Sequence, residues 1–155
     1  MIRISRILVP TDFSELGKLA VQYATAIAEQ FQAELHLLHV IDDFFILAPE
    51  ANLMLPDRNQ YLRDLKAAAD SELTKLPTTG GLPAARVMRH TVVGHPFEQI
   101  VRFAKEQEID LIVIGSHGRR GISHFLLGSV AERVVRLAVC PVLTVRPGQH
   151  QFVSS

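Results

Sequence analysis

Four glycines, Gly115, Gly118, Gly121 and Gly128, crowd the stretch "IGSHGRRGISHFLLGSVAERV" at residues 114–134, directly behind the apolar run "DLIVI". Glycine reaches positive φ without steric penalty and lets a ligand approach the main chain closely. A helix N-terminus adds unpaired N–H groups and about half a positive charge. A glycine loop that feeds a helix is therefore suited to hold an anion. Ser129 followed by Glu132 has capping-box spacing, which predicts a defined first turn for that helix. Spacing then excludes two familiar loops. A Walker A loop needs Gly-Lys-Ser/Thr, which occurs nowhere in the chain, and a dinucleotide fingerprint needs G-x-G-x-x-G after the first strand. What remains is Gly115-x-x-Gly118, nine residues, then Gly128-Ser129. Taken alone, these glycines fit a tight turn and a helix cap equally well.

The elements that must position this loop are legible from periodicity. Short runs rich in branched apolar residues at 6–10, 34–40, 85–93, 110–115 and 141–145 predict five strands. Helical spacing marks the segments between them. Residues 14–32 carry Leu16, Leu19, Ala20, Tyr23, Ala26, Ile27 and Phe31 on one stripe, with Ser14 as N-cap. Residues 59–76 place Leu62, Leu65, Ala69, Leu73 and Leu76 inward; 96–108 open on Pro96, and 129–138 form the last helix. Strands alternating with helices imply parallel pairing, because each crossover returns the chain to the same end of the sheet. The expected fold is a doubly wound, Rossmann-like α/β domain, a five-stranded parallel sheet in order 3-2-1-4-5 with helices on both faces. In that order the segments after the first and fourth strands, "VPTDFS" at 9–14 and the glycine loop, meet at the crevice where strand order reverses.

At 155 residues, with 48% hydrophobic and 21% charged residues, the chain predicts a single domain over 1–147 and a flexible polar tail over 148–155. Lys plus Arg (16) equals Asp plus Glu (16), so no bulk basic field attracts nucleic acid or anionic lipid, and any anion site is local. No apolar window is long enough for a membrane span or a signal peptide, which predicts a cytoplasmic protein with no membrane partner. The apolar connection at 42–58 is long, and reads equally as a lid or as a shield over the first helix.

Other chemistry is sparse. Cys140 stands alone in "AVCPVLTV" and reads as a small buried hydrophobe. His36 and His39, three apart in a strand, point to opposite faces and do not share an ion. His117 and His124 flank the glycine loop without a carboxylate at ligand spacing, so no metal ligands are assigned. Arg119 and Arg120 fit phosphate clamps or solvated loop charges equally, and Gly121 reads as a turn residue. "VGHP" at 93–96 matches only half of an H-x-G-H nucleotidyl-transfer signature, because Val92 stands where the first histidine belongs. No nucleophile sits beside a recognisable base, and no catalytic residue is assigned.

"VPTDFS", "LHV" (38–40), "VVGHPFEQIVRFAKEQEIDLIVIGSHGRRG" (92–121) and "LLGSVAERVVRLAVCPVLTVRP" (126–147) together resemble the universal stress protein family over essentially the whole chain. The G-x-x-G-(nine)-G-[ST] pattern is similar to the ATP-binding branch of that family. The resemblance implies that Asp12 and the backbone of Val40 hold the adenine and ribose end of ATP or another adenine nucleotide, with Pro10 and Thr11 shaping that edge. It further implies Gly115 near the ribose, Gly118 letting the loop wrap the phosphates, and Gly128, Ser129 and Val130 offering N–H groups and a hydroxyl to them. Mg²⁺ would be held by phosphates and water. The implied function is a stress-response regulatory module, compatible with slow ATP hydrolysis, that forms a homodimer through strand 141–146. Two other readings stand beside it: a dimeric scaffold that needs no nucleotide, and a phosphotransfer or hydrolytic enzyme using Asp12 and the arginines.

Overall fold

The strand nearest the N-terminus, β1 (Arg6–Pro10), is the centre of the molecule, with Ile7, Leu8 and Val9 wholly inaccessible. It pairs in parallel with β2 (Glu34–Asp42) on one side and β4 (Leu111–Gly115) on the other. The sheet is completed by β3 (Val87–Gly94) beyond β2 and β5 (Val142–Val145) beyond β4, giving the order 3-2-1-4-5 expected from the sequence. This computed structural model describes residues 1–48, 57–78, 80–117 and 127–148. Gly118, Arg119, Arg120, Gly121, His124 and the tail from 149 onward, all singled out above, lie outside the described residues, as do residues 49–56 of the 42–58 connection. Its described part contains α2 (Phe44–Leu47), with Ile46 buried.

A strand buried on both faces needs a layer on each. Side chains on one face, among them Ile7, Val9, Leu35, Leu37 and Val113, pack with α1 (Glu15–Phe31) and with Leu73 of α3 (Arg58–Thr74). Those on the other face, including Leu8, Leu38, Ile112 and Ile114, pack with Ile100 and Ala104 of α4 (Pro96–Glu106) and Ala131 and Val134 of α5 (Ser129–Leu137). The buried face of α1 is rotated from the predicted stripe. Gly17, Ala20, Val21, Ala24 and Ala28 point inward, Leu16, Leu19 and Ile27 lie at its flanks, and Ala26 and Phe31 are exposed. Small residues let the helix axis approach a sheet face already filled by branched side chains, so size outranked hydrophobicity in choosing the face.

At the N-terminal ends of the strands, polar bonds close the sheet. Asp110 accepts from the N–H groups of Ser5 at 2.7 Å and Arg6 at 3.0 Å, and the Arg6 guanidinium donates to the Gln107 carbonyl and the Glu108 carboxylate, each at 3.1 Å. The opposite, carboxyl-terminal edge carries the segments that could do chemistry. Among the described residues no helix is long and apolar enough to cross a membrane.

Candidate functional site

The turn after β1 is built by its own short side chains. The Phe13 N–H donates to Thr11 Oγ1 at 3.1 Å, the Ser14 N–H to Asp12 Oδ1 at 3.0 Å, and the Gly17 N–H to Ser14 Oγ at 3.1 Å. Ser14 is thus the N-cap of α1, as its position predicts. Phe13 sits at φ 65, a conformation that bulky residues rarely adopt, and its ring stacks on His39 at 4.5 Å. His39 Nδ1 lies 2.9 Å from the Thr11 carbonyl. Because a carbonyl only accepts, that nitrogen carries the proton. The Phe13–His39 pair went unnoticed in the sequence, where no signal marks a positive φ at phenylalanine.

Strand lengths then open a gap. The Thr11 N–H bonds Leu38 O at 2.9 Å, the last main-chain bond between the β1 segment and β2 among the described residues, yet β2 continues to Asp42. Glu34 N–H bonds Ser5 O, whereas Asp43 N–H bonds Gly94 O, so even-numbered peptide groups of β2 face β1 and odd-numbered ones face β3. Val40 is the next even residue after Leu38. Its N–H and C=O therefore face the space beyond the end of β1, beside Asp12, a donor and an acceptor side by side.

The far wall is the entry to α5. Gly115 ends β4 against Leu16, and Ser116 is buried, its N–H bonded to Val145 O at 2.7 Å and its Oγ 3.0 Å from His117 Nδ1. The Gly128 N–H donates to Ser116 O at 2.6 Å, which closes the base of the glycine loop. The Gly128 amide, expected from the resemblance to face phosphate, thus points to that carbonyl here. The expected capping box is corrected: Gly128 is the N-cap, Ser129 is the first helical residue, and among the described residues no side chain caps the helix. The first helical bond runs from the Glu132 N–H to the Gly128 carbonyl at 2.9 Å, which puts the Ser129 hydroxyl one residue past the cap position. A Cβ on residue 128 would lie 3.0 Å from the Cα of His117, a tight contact that favours glycine there. Among the described residues the N–H groups of Ser129 and Val130 stand at a helix start with no side-chain acceptor.

The structure thus brings Pro10, Thr11, Asp12, Val40, Gly115, Gly128, Ser129 and Val130 to one edge of the sheet, at the point where strand order reverses. Gly118 lies outside the described residues. Cys140 has no part in this edge; burial, aided by the charge of Asp110, pushes its thiol pKa upward and keeps it neutral. His36 and His39 do lie on opposite faces, His36 meeting Phe103 of α4 and His39 meeting Phe13.

Comparison with known proteins extends this geometry. The model of the universal stress protein family matches residues 3–146. Universal stress protein MJ0531 of Methanocaldococcus jannaschii is 34% identical over 142 residues, covering 91% of this chain and 81% of that protein. Universal stress protein MJ0577 of the same organism is 33% identical over 152 residues, and its solved structure superposes with a TM-score of 0.80, covering 96% of this chain and 100% of that one. A universal stress protein solved in complex with cAMP is 26% identical, with a TM-score of 0.60 over 94% of this chain and 98% of that one.

Proposed function

The chain belongs to the universal stress protein family, and from that premise we propose that it is an adenine-nucleotide-binding regulatory module that takes ATP at the carboxyl-terminal edge of β1 and β4. One observation carries the reading: the main chain of Val40, which among the described residues has no strand partner on its β1 side, and the start of α5, which none of them caps with a side chain, lie with Asp12 on the same carboxyl-terminal edge of the sheet, where strand order reverses. An N–H and a C=O on one extended residue match the donor and acceptor pattern of an adenine edge. The Asp12 carboxylate suits ribose hydroxyls, and the Ser129 and Val130 amides suit phosphate oxygens. Gly115, Pro10 and Thr11 shape the floor, Gly118 belongs to the loop over the phosphates, and Gly128 keeps the helix start open. Mg²⁺ would be carried by the phosphates and water. The relative solved with cAMP supports an adenine nucleotide as the ligand class.

Thermal unfolding with and without ATP and Mg²⁺ tests this, beside a Ser129→Asp variant. A ligand at about a hundred times its Kd adds about 2.7 kcal/mol, several degrees for a domain of this size. An aspartate at the first helical position favours the helix dipole but repels phosphate, so the variant should unfold no earlier than the wild type in buffer and should lose the ATP shift. Absence of a shift in the wild type, with bound nucleotide excluded by extraction, would favour the nucleotide-independent scaffold. Phosphate release in the same samples reports whether the bound ATP turns over. We further propose a homodimer formed across β5. Its edge beyond β4 has no partner strand within the sheet, and exposed strand edges are ordinarily covered or paired.

A further inference from the structure

The sheet ends a second time in a chemically distinct group. Asp42 is the last residue of β2, Asp43 follows it, and His95 follows the last residue of β3. Strand pairing sets Asp42 opposite Gly94, and the Asp43 N–H reaches the Gly94 carbonyl at 3.4 Å, so both strand ends are fixed side by side. Each of the three side chains offers one ligand atom, and the three atoms all lie within 4.8 Å of one another. Two of these residues are at positions where a side chain usually turns inward to cap a helix. Asp43 is the N-cap of α2 and His95 the N-cap of α4, yet neither makes a side-chain cap bond. Their ligand atoms instead stand within 4.8 Å of that of Asp42, whose Oδ1 also accepts from the Phe44 N–H at 3.0 Å. Two adjacent carboxylates repel, and a neutral imidazole relieves little of that; a divalent cation satisfies all three.

We propose that Asp42, Asp43 and His95 form a binding site for a divalent first-row transition ion of the zinc type. Ligand atoms on a four-coordinate zinc at about 2.0–2.1 Å stand about 3.3 Å apart, which modest side-chain rotation from the present spacing reaches. The imidazole selects against Mg²⁺, a hard ion that prefers oxygen ligands and keeps its water. Three protein ligands at an accessible edge leave a fourth position for water or an exchangeable group. The site lies two residues beyond Val40 on β2, toward β3 and away from the start of α5, so it is separate from any ion carried by nucleotide phosphates.

The test uses the full chain stripped with EDTA, titrated calorimetrically with ZnCl₂ and with MgCl₂ in the absence of nucleotide, together with Asp43→Asn and His95→Ala. The expected result is one equivalent of Zn²⁺ per chain with Mg²⁺ unable to compete at tenfold excess. Affinity should fall at least tenfold in each variant, thermal unfolding in EDTA should match the wild type, and the imidazole ¹⁵N resonances of His95 should shift on Zn²⁺ addition. Absence of saturable Zn²⁺ binding in the wild type would overturn the proposal, as would binding that both variants retain. With no nucleotide present, a negative outcome leaves the ATP reading standing, and a failed ATP shift leaves this one standing.

Discussion

Buried histidines make the sharpest statement about single residues. His36 is 5% exposed, its Nδ1 lies 3.2 Å from Nε2 of His90, and its own Nε2 is buried without a hydrogen-bond partner. Phe103 of α4 packs against both rings; the charges bearing on the pair are Glu34, 3.7 Å from His36 Nε2, and Arg6, which itself pairs with Glu34. Burial outweighs Glu34 and lowers the pKa of His36 below 6.5, and burial aided by His36 does the same for His90. Between that value and the lower folded ones the unfolded chain binds more protons, so the pair leaves stability unchanged above about pH 6.5 and erodes it below. Urea unfolding at pH 7.5 and 5.5 should show this loss, smaller in His36→Leu/His90→Leu; an identical pH dependence in the variant would exonerate the pair. Gly128→Ala is a second case. The new Cβ would meet main-chain His117 at 3.0 Å, which cannot swing aside, and a loss of about 1–3 kcal/mol is expected in urea unfolding.

Among the elements, the joints between strands and helices carry the local information. Ser14 caps α1 through the Gly17 amide, and Ser14→Ala should cost about 1 kcal/mol. Gly94 joins β3 to α4 at φ 150, a region nearly closed to other residues. In Gly94→Ala the Gln99 side chain, 2.5 Å from the added Cβ, can move away, but the backbone cannot, so about 1–3 kcal/mol should be lost. Gly81 supplies the contrast. Nothing lies within 4 Å of a Cβ there and its φ is ordinary, so Gly81→Ala should change stability by no more than about 0.5 kcal/mol. Equal losses at both glycines in matched denaturant melts would contradict this account of the β3–α4 joint.

For the whole molecule the open question is assembly, and the sheet itself supplies a discriminating variant. Pro141 O accepts from Ile112 N–H and Val145 O from Ser116 N–H, so the odd-numbered peptide groups of β5 face β4 and the even-numbered ones face outward. Proline is tolerated on an edge strand where its missing N–H would have faced away from the sheet. Thr144→Pro should therefore leave the fold intact while blocking a strand from adding to β5. Light scattering after size exclusion should give twice the chain mass of 17.2 kDa for the wild type and the single mass for the variant. A wild-type monomer at micromolar concentration would refute the homodimer, and a dimeric Thr144→Pro would move the interface elsewhere.

Periodicity and spacing along the chain were enough to read the five strands, their alternation with helices, the Ser14 cap and Pro96 at the start of α4, because local preference and pattern act along the sequence. The 3-2-1-4-5 order followed from taking that alternation as a doubly wound fold. The glycine spacing was equally legible, and it pointed to the carboxyl-terminal edge on which the candidate site is built. What the pattern could not reveal depends on contacts between distant segments. Hydrophobicity alone placed Ala26 and Phe31 inward, whereas the close approach of α1 to the sheet chose the small residues instead. Ser129 looked like a cap, but the helix starts one residue earlier, with the Glu132 N–H bonded to Gly128 O. The Val40 main chain lacks a β1 partner among the described residues because β2 outruns β1, and Asp42 and Asp43 meet His95, about fifty residues on in sequence, because β2 pairs with β3. Tertiary structure decided these points because register, strand length and steric exclusion belong to pairs of segments, and no single segment encodes them.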